Sequence, residues 1–138
     1  FMRNGTLQPI ARHGKVPQEM TYAAVEQMVG YISDLVNNKY KTTAIICKTE
    51  RDMRMLQTHM DFPFAILDGQ TEKFETGTPI LTTIQYAKGL EFDTVIVPFV
   101  NAANYHTDFD RGLLYIAATR AMHELTILVD ASSPSPLL

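Results

Sequence analysis

Thr82-Thr83-Ile84-Gln85-Tyr86-Ala87-Lys88-Gly89-Leu90-Glu91-Phe92-Asp93, followed by Thr94-Val95-Ile96-Val97-Pro98, is the stretch that decides the fold. It reads as the end of a buried strand running from Ile80 to Ile84, then a polar turn with one lysine, one glycine and two acids. A second strand rich in β-branched residues follows, from Thr94 to Val100. In an open parallel sheet, ligands gather outside the carboxyl ends of strands, so the turn stands where chemistry is expected. Spacing alone favours a plainer reading, an ordinary connection in which Gly89 supplies a positive φ.

Upstream, Val25, Met28, Val29, Ile32, Leu35 and Val36 recur at helical spacing, which predicts a helix from Tyr22 to about Asn38 with Thr21 as its cap. Thr43 to Cys47 reads as a short buried strand ending at Lys48. Thr49 then opens a second helix, with Asp52 at the capping-box position and Met53, Leu56 and Met60 on one face. Phe62 to Leu67 reads as another short strand, closed by an Asp68-Gly69-Gln70 turn. Downstream, Asn101 to Thr107 is a loop. A helix from Asp108 or Asp110 to about Ala121 turns Leu113, Leu114, Ala117 and Ala121 inward, and Glu124 to Val129 is a last strand. Short apolar strands alternating with helices predict an α/β fold, a mainly parallel sheet covered by helices on both faces.

The 138 residues fit one domain: a leader over 1–20, the body over 21–131 and a flexible Ser/Pro-rich tail over 132–138. A net charge of -3 excludes a surface that is phosphate-binding throughout, so any nucleic-acid contact must be local. The single cysteine, Cys47, lies in an apolar run and reads as a buried thiol. His13, His59, His106 and His123 lie too far apart for metal-ligand spacing and read as surface or partly packed residues. No apolar run approaches the roughly 20 residues needed to span a bilayer. The opening Phe1-Met2-Arg3 lacks the apolar stretch of a signal peptide, and Phe1 ahead of Met2 points to a cytoplasmic fragment of something longer.

Thr83 to Asp93 resembles the fifth motif of UvrD/Rep-type superfamily 1 helicases. Asp110-Arg111-Gly112-Leu113-Leu114-Tyr115-Ile116-Ala117-Ala118-Thr119-Arg120-Ala121-Met122 is similar to the sixth. The ending from Met122 to Thr126 and the closing Ser135-Pro136-Leu137-Leu138 look most like helicase IV and the HelD type. The resemblance implies a RecA-like fold, the second, C-terminal motor domain of such a helicase, over nearly the whole chain. Leu67 to Ile80 is too short for the large helical subdomain that many relatives insert there, which suits compact helicase IV-like or RecD-like arrangements.

Site residues follow from the same resemblance. Arg120 aligns with the arginine finger that reaches the γ-phosphate of ATP held on the partner domain. From its position alone it reads as a cation in the last turn of a helix, favoured by the dipole. Glu91 aligns with an acid that holds the nucleotide ribose, or else caps a turn, and Gly89 lets the backbone approach the phosphates. Lys48 stands where an arginine usually meets nucleotide phosphate. A lysine there brings a point charge without the bidentate fork, and a solvated lysine at a strand end is the equal alternative. Thr83 and Gln85 face single-stranded DNA by resemblance, contacts that position a strand without reading sequence. Tyr86 is placed with them as a base-stacking ring, although an aromatic beside a sheet more often packs at the core edge. Lys88 and Asp93 are expected to orient the turn through ionic contacts, and Asp110 and Arg111 match the charged lead of the sixth motif.

The sequence holds no Gly-x-x-x-x-Gly-Lys-Ser/Thr cradle and no acid pair after an apolar strand to hold Mg²⁺. The chain therefore reads as half a motor, inactive as an ATPase alone and binding no cofactor tightly by itself. ATP and Mg²⁺ act in the full-length protein, with the N-terminal motor domain of the parent and single-stranded DNA as partners. Two alternatives stand beside this: the same domain in a HelD-type ATPase that releases RNA polymerase, and a non-catalytic α/β binding module.

Overall fold

Alternation of two buried faces along each central strand builds the sheet. A computed structural model of the chain describes residues 16–37, 41–70 and 77–138. Its strands are β1 (Gln18–Tyr22), β2 (Thr43–Cys47), β3 (Ala65–Ile66), β4 (Ile80–Thr83), β5 (Phe92–Val100) and β6 (Ala121–Asp130). Its helices are α1 (Val25–Leu35), α2 (Glu50–His59), the single turn α3 (Ile84–Ala87) and α4 (Asp108–Ala118). The six strands lie in the order β1-β6-β5-β2-β4-β3, every neighbouring pair parallel. Ala44 and Ile46 point to one face with α3 and α4, while Ile45 and Cys47 point to the other with α1 and α2. The expected α/β sheet with helices on both faces is the observed architecture, and its sheet is wholly rather than mainly parallel.

Three expectations are corrected. Thr21 does not cap a helix: with Tyr22 it belongs to β1, which pairs with β6 from Gln18 opposite Thr126. Only Tyr22 of this edge strand is buried, so no apolar alternation announced it. The helix begins at Val25 behind Ala24, which gives no side-chain cap; instead Gln27 accepts from the Ala23 amide at 2.7 Å. The strand expected over Phe62 to Leu67 shrinks to Ala65–Ile66.

The third correction concerns the tail. Leu137 is buried in the core cluster beneath α4, and Pro134 bridges Asn101 in antiparallel fashion. The Ala102 amide donates to Ser133 O at 2.9 Å, and the buried Ser135 hydroxyl donates to Tyr105 O. Serine and proline composition suggested a free end, but one leucine with an apolar slot and three backbone partners suffices to dock it. The strand expected around Leu7 to Ile10, the basic residues Arg3, Arg12 and Lys15, and the connector over 71–76 lie outside the described residues.

Two irregularities interrupt the β5–β6 ladder. Between Phe92 and Thr94 one residue of β5, Asp93, opposes two of β6, Met122 and His123. The second falls between Val97 and Val100, where Phe99 adopts a left-handed φ of 55° after Pro98.

Candidate functional site

Because every strand runs the same way, the sheet has an amino edge, where strands begin, and a carboxyl edge, where they end. The stretch Thr83 to Phe92 starts at the carboxyl end of β4, makes the turn α3, and crosses back to the amino end of β5. Its first half and its second half therefore stand at opposite edges. The expectation that the whole turn lies at the carboxyl ends is corrected in this respect.

At the amino edge, α4 closes at Ala118 with Thr119 as its C-cap. Arg120 is not in the last helical turn, as position alone suggested. Its carbonyl accepts from the Phe92 amide at 2.9 Å, which draws the residue out of the helix and into the mouth of β6. Its guanidinium turns back to the same corner: Nη1 donates to Leu90 O at 3.3 Å and Nη2 to Thr119 Oγ1 at 3.2 Å. Nε is buried and, among the described residues, has no hydrogen-bond partner. Gly89 turns this corner with φ +83°, and a Cβ built there meets nothing within 4 Å, so glycine serves the backbone angle rather than crowding. Glu91 is exposed beside it. Arg120, Leu90, Glu91 and Gly89 are thus brought together.

Asp93 lies one step further into the sheet. Its Oδ2 accepts from the Thr42 amide at 2.9 Å and the Thr42 hydroxyl at 3.1 Å, and its Oδ1 stands 3.3 Å from His123 Nδ1. The Thr42 amide bond chiefly, and then the Thr42 hydroxyl and His123, hold its carboxyl below the usual range against the opposing effect of burial. Lys41 and Glu124 pair at 2.9 Å on the same edge.

Lys48 is not part of this corner. It ends β2 at the carboxyl edge, with Nζ 2.8 Å from Asp110 Oδ1 and a further bond to Asn104 O. It also stands 5.7 Å from the centre of the Tyr105 ring. Side-chain exposures of 18% for Lys48 and 7% for Asp110 make this an internal ion pair rather than a free cation. Burial would raise the Asp110 carboxyl, but Lys48 and the amides of His106 and Thr107 hold it well below the ordinary range. Asp110 also completes the capping box of α4 with Thr107. Asp52, at the capping-box position of α2, accepts instead from Asn104 Nδ2 at 2.8 Å. Sequence reasoning missed this network of Asp52, Asn104, Lys48 and Asp110; three charges and an amide at strand ends and helix starts were its only signal.

The residues expected to face DNA stand at the same carboxyl edge. Thr83 caps α3 without a side-chain cap bond, and its buried hydroxyl has no partner among the described residues. Gln85 is exposed. Tyr86 is half-buried against the core, its ring lying over the Asp68–Gln70 turn, where a Cβ on Gly69 would come within 2.9 Å of it. Arg111 pairs loosely with Asp108 at 3.6 Å. Cys47 is fully buried, and burial pushes its thiol up, with Asp52 adding to the effect. Among the described residues no group of three or more His, Cys, Asp or Glu gathers as for a metal ion, and no helix is long and apolar enough to cross a membrane.

An all-parallel sheet with helices on both faces and an arginine folded onto a Lys-Gly-Leu-Glu corner define a RecA-like α/β domain. Comparison with known proteins agrees. Residues 80–128 match the model of the UvrD-like helicase C-terminal domain. The crystal structure of the C-terminal domain of a possible DNA helicase from Lactobacillus plantarum WCFS1 superposes with a TM-score of 0.77 and 34% identity, over 90% of this chain and 79% of that one. The chain is also 22% identical over 131 residues to an ATP-dependent helicase/nuclease of Staphylococcus epidermidis (strain ATCC 12228 / FDA PCI 1200), covering 80% of this chain and 11% of that protein. The chain belongs to the UvrD-like helicase C-terminal domain family.

Proposed function

We propose that this domain is the C-terminal motor half of an ATP-driven DNA helicase or translocase, in which Arg120 is the arginine finger. The carrying observation is the corner itself: a guanidinium anchored through Nη1 to Leu90 O, with a buried Nε that no described residue satisfies. A buried donor left without an acceptor costs about 1–3 kcal/mol, which an incoming phosphate oxygen would recover. The residues present fit one side of a nucleotide. Arg120 would meet the γ-phosphate, Gly89 would allow close backbone approach, and the exposed Glu91 would take the ribose hydroxyls. The phosphate cradle and the Mg²⁺ ligands are missing from the sequence, so the N-terminal motor domain of the parent would supply them. ATP with Mg²⁺, when bound there, provides the phosphoryl group whose transfer to water drives the motor. This chain's part is to place a fixed cation against charge that grows in the transition state.

The opposite edge would carry single-stranded DNA. Thr83 offers a hydroxyl without a partner among the described residues, and Gln85 is exposed one residue into α3. Half-buried Tyr86 would present only its outer rim to a base. One continuous segment, Thr83 to Glu91, would then link the DNA-facing edge to the nucleotide-facing edge. The test uses the full-length parent, assayed for ATP hydrolysis with and without single-stranded DNA. Arg120→Ala should abolish stimulated turnover while ATP binding persists; unchanged turnover overturns the assignment. The isolated 138-residue chain should not hydrolyse ATP, and measurable hydrolysis would refute the half-motor reading.

A further inference from the structure

Asp93 stitches together the openings of three neighbouring strands. It sits in β5, between β6 and β2 in the sheet; it holds Thr42, just ahead of β2, through two bonds to Oδ2, and it faces His123 of β6 through Oδ1. Thr42 answers in kind, its hydroxyl accepting from the Asp93 amide at 2.9 Å and its carbonyl from the Thr94 amide at 3.0 Å. His123 faces Asp93 within a β-bulge, where β6 places two residues against one of β5. Such bulges re-aim a side chain and fix where pairing begins. Immediately before this bulge the Phe92 amide holds the Arg120 carbonyl at 2.9 Å, so the height of Arg120 above the sheet is set where Asp93 clamps β5.

Building on the finger reading of Arg120, we infer that Asp93, Thr42 and His123 form a positioning clamp that fixes Arg120 in its productive register. None of the three needs to touch the nucleotide. The clamp fixes the start of β5; β5 fixes the Arg120 carbonyl through the Phe92 amide and carries the Leu90 carbonyl that anchors the guanidinium. Releasing it lets both anchors of Arg120 drift together. Displacements of about 1 Å at a reacting group can cost on the order of a hundredfold in rate, so a partial drift should cost about tenfold.

The experiment measures steady-state ATP hydrolysis by the full-length parent with saturating single-stranded DNA. Asp93→Ala should lower kcat about tenfold with the ATP KM within about twofold, since ground-state binding rests on the other motor half. Thr42→Val, which keeps shape but loses the hydroxyl, should lower kcat in the same direction, and Thr42→Ser should restore it. In an Arg120→Lys background, already slow, Asp93→Ala should add little further loss, because coupled residues are not additive. Normal kcat in both Asp93→Ala and Thr42→Val overturns the clamp, as does a full multiplicative loss in the Arg120→Lys background. If Arg120→Ala itself leaves turnover unchanged, the finger reading fails; if Arg120 matters and Asp93 and Thr42 are silent, only the clamp fails.

Discussion

The two edges of this sheet each carry a cation, and the two are used in opposite ways. At the carboxyl edge, Lys48 is enclosed by Asp110, Asn104 and the Tyr105 ring, its charge answered within the domain. At the amino edge, Arg120 is anchored by two modest bonds and keeps a buried Nε without a described partner. A charge that is already paired locks a fold together, and one held in place but incompletely bonded is ready for something that arrives. Sequence alone put both on the nucleotide. The geometry separates them, and Lys48 serves the structure of its own domain.

That contrast can be broken most directly at Arg120. Arg120→Ala in the parent should lower DNA-stimulated ATP turnover by roughly a thousandfold or more, about 4 kcal/mol of transition-state stabilisation, with the domain's denaturation midpoint close to wild type. Lys48→Met should do the reverse. Stability should fall by about 3 kcal/mol, because Asp110 remains as an uncompensated buried charge, while ATP affinity of the parent stays near normal. A loss of ATP affinity from Lys48→Met without loss of stability would return Lys48 to the nucleotide.

Acid sharpens the same contrast. The Asp110 carboxyl is held down in the folded state, so its stabilising contribution is complete above the unfolded carboxylate value of about 4 and fades as pH falls toward the lower folded value. The stability gap between wild type and Lys48→Met, followed by chemical denaturation, should therefore be constant near neutrality and narrow in acid. A gap that widens in acid would contradict the pair.

Leu137→Ala should cost about 2 kcal/mol through loss of its core contacts, where a loose tail would show no change in the denaturation midpoint. The smallest effect belongs to Gln85→Ala. Stability should stay within about 0.5 kcal/mol, and a few-fold loss of single-stranded DNA affinity in the parent is the expected signal. No change in DNA affinity would remove Gln85 from that edge.

The central strands were legible because Thr43–Cys47, Ile80–Thr83 and Thr94–Val100 are apolar enough to be buried on both faces. The corner was legible too: Gly89 takes the positive φ that its place in the turn demanded, and Arg120 lands on that corner. What stayed hidden has a physical cause in each case. β1 is an edge strand with one buried residue, so its pattern carries no period. Lys48 and Asp110 meet only because α4 starts beside the end of β2, a proximity that no local spacing encodes. Nor could the sequence tell which edge each half of the central stretch would reach, since that depends on an eight-residue path from Ile84 to Glu91 recrossing the face under α4.

The left-handed Phe99 has a consequence of its own. By inserting one residue into β5 it reverses the in-and-out phase of the strand, so that Phe99 faces α1 and α2 while Val100 faces α4. The same kink turns the Phe99 carbonyl toward Asn104, which donates to it from Nδ2 at 3.0 Å while also reaching Asp52. A chain one residue shorter at this point would swap the two side chains between layers and leave Asn104 unable to span both partners. The stagger of one backbone step is thus what lets a single asparagine bind the start of one helix to the end of a strand far from it in sequence.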